Sequence, residues 1–442
     1  MSTPAADTVR PTLIDRVFGI RGGEFVAVAW SFALFFCVLA SYYILRPVRE
    51  SMGVASGTDT LTWLFLASFV AMCVITPVFG WIVARVPRRT FLPWVYLFFA
   101  ANMLVFWAAF TIAVDSGRDY VWLGRVFFVW LSVFNLFVVS VFWSYMADIY
   151  TREQGRRLFG AISGAGSIGG LVGSGVTTLV VIHIGFQNLF GISLGLLLVA
   201  VYCMTRLRSW VETSADVVHR EAATSTQPLG GNPFGGATHV AASKYFSSIS
   251  AASIIASLLG TALYIFTNKL VQEAIPGTNE NTQYFSFINF AMLVLAGLGQ
   301  MFLLRHVVQR FNIGISLAVM PVVSIIGFGL LSQDPTLFAV SLLTIVRRGL
   351  GFVFSKPPTD MLYSVVTSEE KYKTKNFIDT TVYRFGDIIG TWTINKLIAL
   401  GLAIAPISVV MVPFAALWAG ISLWLGRDYR ARARQLKEAG IK

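Results

Sequence analysis

Apolar and polar positions fall in long blocks along this chain, not in short periods. Ten apolar blocks contain no Asp, Glu, Lys or Arg: residues 25–45, 61–84, 91–114, 126–147, 158–185, 186–205, 245–268, 284–304, 311–331 and 402–425. Each reaches the roughly 20 residues that cross a hydrocarbon core as a helix. Barrel strands would instead show about ten residues of alternating polarity. Two further blocks are interrupted by charge. Residues 336–363 hold Arg347, Arg348, Lys356 and Asp360, and residues 377–400 hold Asp379, Arg384, Asp387 and Lys396. The pattern predicts an all-α polytopic membrane protein with twelve transmembrane helices. The first block is too long for a signal h-region and lacks a small-residue cleavage site, so it is expected to stay as the first helix.

The interrupted pair locates the candidate chemistry. A charge near a bilayer centre costs at least roughly 2.5 kcal/mol, so several together imply a wet, protein-lined cavity and point to solute passage. Arg347 lies roughly 17 Å along its helix from Thr336, near the midplane. Arg348 projects about 100° away, so one of the two can face the cavity while the other meets a carboxylate such as Asp387 or Asp379. Arg384 and Asp387 are three apart and share a helical face; they can neutralise one another or serve the site. Guanidinium groups suit planar carboxylate or phosphate, which favours an anionic solute, with Lys356 and Lys396 as further candidates. Arg46 and Arg49, at the end of the first span, and Lys269, at the end of the seventh, line the cavity mouth if their helices continue and snorkel to the interface if they stop. Pro47 is expected to kink or end the first helix. Arg125 is placed like them. Asp387, then Asp360 and Asp379, are the coupling candidates, and Asp148, Arg85 and Arg88 the gating ones.

Composition removes other classes. Of 442 residues 56% are hydrophobic and 13% charged, and the mean hydropathy is +0.70. The net charge of +12 would suggest nucleic acid until it is placed on the spans. With a cytoplasmic amino terminus, Arg10, Arg16, Arg21, Arg85, Arg88, Arg89, Arg152, Arg156, Arg157 and the tail 427–442 all fall on the cytoplasmic side. That is the positive-inside pattern, so no nucleic-acid partner is expected, and both termini are expected in the cytoplasm. Cys37, Cys73 and Cys203 sit inside spans, and the four histidines carry no ligand spacing, so neither a metal nor a cofactor is expected. Gly164-Ala165-Gly166-Ser167-Ile168-Gly169 spells a dinucleotide fingerprint but follows no strand. Together with Gly160, Gly170 and Gly173 it reads as a close helix-packing face.

Six spans precede the polar stretch Ser209–Ser243 and six follow it. The expected domains are a bundle over 1–208, a cytoplasmic linker over 209–244, a second bundle over 245–426 and a basic tail over 427–442. This layout, with Gly80, Arg85, Arg88 and Arg89 in the loop after the second span, resembles the major facilitator superfamily. Lys356-Pro357, Leu362-Tyr363, the run Glu370 to Asp379, Tyr383-Arg384-Phe385-Gly386-Asp387 and the stretch Tyr43 to Glu50 resemble its ATP/ADP translocase-related bacterial branch. The resemblance implies a facilitator fold moving a solute across a bacterial inner membrane.

Exchange of one anion for another and proton coupling both remain open, as does a lipid-linked or amphipathic substrate. A membrane sensor or assembly factor on the same scaffold is a further alternative. No nucleophile with a base and no paired carboxylate site converges as an enzyme would need. The expected partners are a small anionic solute and membrane lipids, and the expected state is a monomer.

Overall fold

The computed structural model describes residues 24–85, 88–213, 240, 242–303, 312–367, 370, 374–375 and 377–438; the side chains of 76–92, 152, 211–213 and 380 lie outside that description. The described chain is helical: α1 Phe25–Ala55, α2 Thr58–Arg85, α3 Arg88–Asp115, α4 Val121–Ile149, α5 Arg152–Ile184, α6 Leu189–Thr213, α7 Lys244–Ala274, α8 Thr278–Leu298, α9 Ile313–Leu331, α10 Leu337–Phe354, α11 Tyr383–Ala399 and α12 Ile404–Glu438. Eleven of these, with their continuations, are long and apolar enough to cross a membrane. The remaining one, α11, is charged and 17 residues long. With the five-residue π turn Ile378–Val382 that leads into it, it still reaches a membrane's thickness at about 1.5 Å per residue.

Two helices outrun their apolar blocks. α1 continues to Ala55 with Pro47 inside it, so of the two expectations for that proline, a kink or an end, the end is corrected. Neighbouring packing can re-satisfy the main chain at an intramembrane proline. α7 likewise runs past Lys269 to Ala274. α10 carries Arg347 and Arg348 unbroken but ends before Lys356: after Phe354 and Ser355 a short helix, Lys356–Leu362, restarts with Pro at its first turn, where the missing N–H is tolerated.

The chain forms two compact units. One comprises Met1–Arg49, Met72–Leu123 and Trp130–Pro228; the other comprises Glu50–Ala71, Gly124–Val129 and Leu229–Lys442. In the first unit α3 packs along α6, with Phe110 and Phe190 5.4 Å apart and Tyr96 donating to the Val138 carbonyl at 3.1 Å. α5 lies so close to α1 that a Cβ on Gly173 would come 2.6 Å from the Ala40 carbonyl oxygen, and one on Gly169 would strike that of Phe36. The glycine face therefore serves helix approach.

In the second unit α9 packs along α12, α7 along α11 and α8 along α10. Leu259, Ala262 and Phe266 of α7, Phe328 of α9 and Ile407, Met411 and Ala415 of α12 form its core. The ends of α1, α2 and α4 opposite the basic loops belong to this unit as well: Val54 packs with Val271 and Phe285, and Leu61 and Leu64 with Phe128.

Candidate functional site

α7 receives the charged helices. Arg347, ten residues into α10, donates from Nη2 to the Ala256 carbonyl at 2.5 Å. A Cβ on Gly260 would lie 3.1 Å from its Nη1, so that glycine leaves room for the guanidinium. The indole of Trp418 lies 5.9 Å from its Cζ. Arg347 thus meets a main-chain carbonyl and an aromatic face, and among the described residues its hydrogen bond does not go to a carboxylate. Arg348, the next residue, is exposed.

Asp387 turns to the same helix. Its Oδ1 accepts from Ser257 at 2.5 Å and from Thr261 at 3.3 Å, and its Oδ2 lies 3.6 Å from Arg384 Nη1. Ser257 also approaches the Tyr383 carbonyl at 3.0 Å. Gly386 sits against Ser257, and Gly390 against Leu258 and Thr261, so α11 lies flush on α7. Arg384 and Asp387 pair as their spacing predicts, and α7 supplies the polar cradle. Ser257, Gly260 and Thr261 were not singled out in the sequence; their signal is small and hydroxyl residues at i, i+3 and i+4 within an apolar block.

A second cluster lies nearer the basic loops. Lys356 reaches Asp379 at 2.9 Å and Asp360 at 3.7 Å, while Lys375 holds Asp360 at 2.8 Å and stands 5.9 Å from the Tyr363 ring. Asp379, one of two carboxylates that Arg347 or Arg348 could have met, is engaged by Lys356. It lies in the π turn, a turn before α11 begins, which carries it toward the broken end of α10.

The other predicted residues are dispersed. Arg46 lies on α1 with its Cζ 5.3 Å from the Tyr43 ring, and Arg49, half-buried, precedes the buried Glu50. Arg125 Nη2 is 3.4 Å from Thr60 Oγ1. Lys269 is half-buried on α7, Lys396 is exposed in the last turn of α11, and Asp148 is half-buried one residue before the end of α4. Arg85 closes α2 and Arg88 opens α3; their side chains lie outside the described residues. Among the described residues no group of three or more His, Cys, Asp or Glu could hold a metal ion.

Membrane-length helices with charge gathered on two interrupted, mutually adjacent stretches define a polytopic membrane transporter. The chain belongs to the Major Facilitator Superfamily, whose model matches residues 25–391. It is 20% identical to ADP,ATP carrier protein 2 of Chlamydia pneumoniae over 94% of this chain and 91% of that one. Among solved structures it is similar to a bacterial homologue of the iron transporter ferroportin (TM-score 0.62, 11% identity, 91% of this chain and 98% of that one). An auto-inhibited POT family peptide transporter (0.57, 14%, 92% and 96%) and the nucleoside transporter NupG (0.54, 16%, 93% and 99%) share the fold. The protein is thus an alternating-access transporter, not an enzyme.

Proposed function

We propose that this transporter carries an anionic solute bearing phosphate or carboxylate, of nucleotide-like size, and that it works by exchange. The observation that carries the reading is Arg347, a guanidinium midway along a membrane helix whose contacts are a carbonyl and an indole. A guanidinium at this depth is costly unless it is compensated, and a substrate anion at Arg347 offsets that cost. The similarity to ADP,ATP carrier protein 2 of Chlamydia pneumoniae supports a nucleotide-like member of this class.

Within this reading Arg347, Arg348 and Arg384 bind the anion. Arg125, Lys269, Lys356 and Lys396 supply the surrounding field, and Asp387 is the resting counter-charge. Return of the empty carrier is disfavoured because the Arg347 guanidinium then has a carbonyl and an indole but no substrate anion, which suits exchange. The protein sits in a bacterial inner membrane with both termini cytoplasmic, as the basic loops favour. The test is uptake of labelled phosphorylated solutes into proteoliposomes. Uptake is expected when unlabelled anion is trapped inside and not when only a pH gradient is imposed; uptake driven by the pH gradient alone would overturn exchange, and no uptake of any anion would overturn the substrate class.

A further inference from the structure

α12 does not stop where its apolar face stops. Leu417, Leu423 and Trp424 are exposed apolar side chains along it, and Trp is the residue that settles at the edge of the hydrocarbon. Three residues later the helix turns basic and runs on unbroken to Glu438.

This extension is docked. Tyr429, Ala433 and Leu436 pack against the cluster of Tyr245, Leu362, Tyr363 and Val365. Tyr429 and Ser364 share a hydrogen bond of 3.2 Å, and the Arg432 guanidinium lies 4.5 Å from the centre of the Tyr245 ring. The helix is therefore held in one rotation, which fixes where its other side chains point.

Arg427, Arg430, Arg434 and Lys437 are all exposed. Their spacing of three, four and three residues confines them to an arc of about 80° at about 100° per residue. Asp428, the acid in their midst, is held by Arg432 at 2.7 Å and so is drawn toward the docked side. Glu438, one turn beyond Arg434, is the remaining acid of the extension. Among the described residues none of the four cations has an ion pair; Arg430 Nε only reaches back to the Gly426 carbonyl at 3.2 Å.

We propose that this stripe is a binding site for anionic lipid headgroups in the leaflet that faces the basic loops. Arg427 and Arg430 follow Trp424 by about 4 and 9 Å along the axis, which is headgroup depth. Arg434 and Lys437 stand above them within about one Debye length of the headgroups. A row of cations directly past a span, on a rigid helix, matches a surface of lipid phosphates. It is separate from the solute site around Arg347 and does not depend on what that site carries.

The test measures which lipid co-purifies with the full-length protein from mixed micelles of neutral detergent, phosphatidylglycerol and phosphatidylcholine. The wild type is expected to retain phosphatidylglycerol preferentially, less so as salt rises. The variant Arg427→Gln/Arg430→Gln/Arg434→Gln/Lys437→Gln is expected to lose that preference about tenfold or more, whereas Arg347→Gln keeps it. If the quadruple variant does not fold, Arg434→Gln/Lys437→Gln, away from the apolar span, is expected to show a several-fold loss. A wild-type preference in whichever of these variants folds, or displacement of the lipid by millimolar inorganic phosphate, would overturn the proposal.

Discussion

Arg347 is the side chain on which the substrate class rests. A hydrogen bond to a charged group contributes about 1.5–3 kcal/mol, so Arg347→Gln is expected to weaken half-saturation for a phosphorylated solute by roughly ten- to a hundredfold, while membrane-inserted protein stays at wild-type amount; flux assays beside immunoblots of membranes measure both. Asp387→Asn separates two roles. As resting counter-charge, its loss leaves exchange without a pH-gradient dependence and alters apparent anion affinity; appearance of gradient-driven uptake in the wild type, abolished in the variant, would make it the coupling acid. The sequence displayed Arg347, Arg384 and Asp387 because charge inside an apolar block is conspicuous. It hid Ser257, Gly260 and Thr261, since small and hydroxyl residues in a membrane helix look alike whether they cradle a carboxylate or pack a neighbour. Lys356 and Asp379 were visible as charges, but their pairing depended on breaks in two different helices.

At the level of helices, the apolar blocks located nearly every span, because burial in lipid demands long uninterrupted runs. Their ends were less legible. Charges at Arg46, Arg49 and Glu50 mark the limit of apolar sequence but not of α1, which continues to Ala55 with Glu50 to Val54 buried. The glycines of α5 work at close range: Gly173→Val would drive methyls into the Ala40 carbonyl of α1 and is expected to cost about 1–3 kcal/mol, seen as a lower melting midpoint of purified protein. Thr151 caps α5 through a capping box with Gln154, so Thr151→Ala should cost about 1 kcal/mol, a smaller drop in the same measurement.

Across the molecule, the second unit joins pieces that are remote in sequence. Asn395 of α11 donates to the Thr58 carbonyl at 3.1 Å and to Thr62 at 2.8 Å, and Ser51 donates to the Thr278 carbonyl at 3.1 Å. These contacts are expected to part when the carrier changes its open side. Asn395→Ala is therefore expected to speed labelling of a cysteine placed at Gly53, which packs against Phe128 and Tyr264, by a membrane-impermeant maleimide; an unchanged rate would show that this latch does not set access. The break at Ser355 and the π turn at Ile378–Val382 fall on consecutive spans and are tied together by Lys356 and Asp379. Main-chain breaks are where helices bend most readily, so an ion pair across two of them is expected to make bending at one felt at the other.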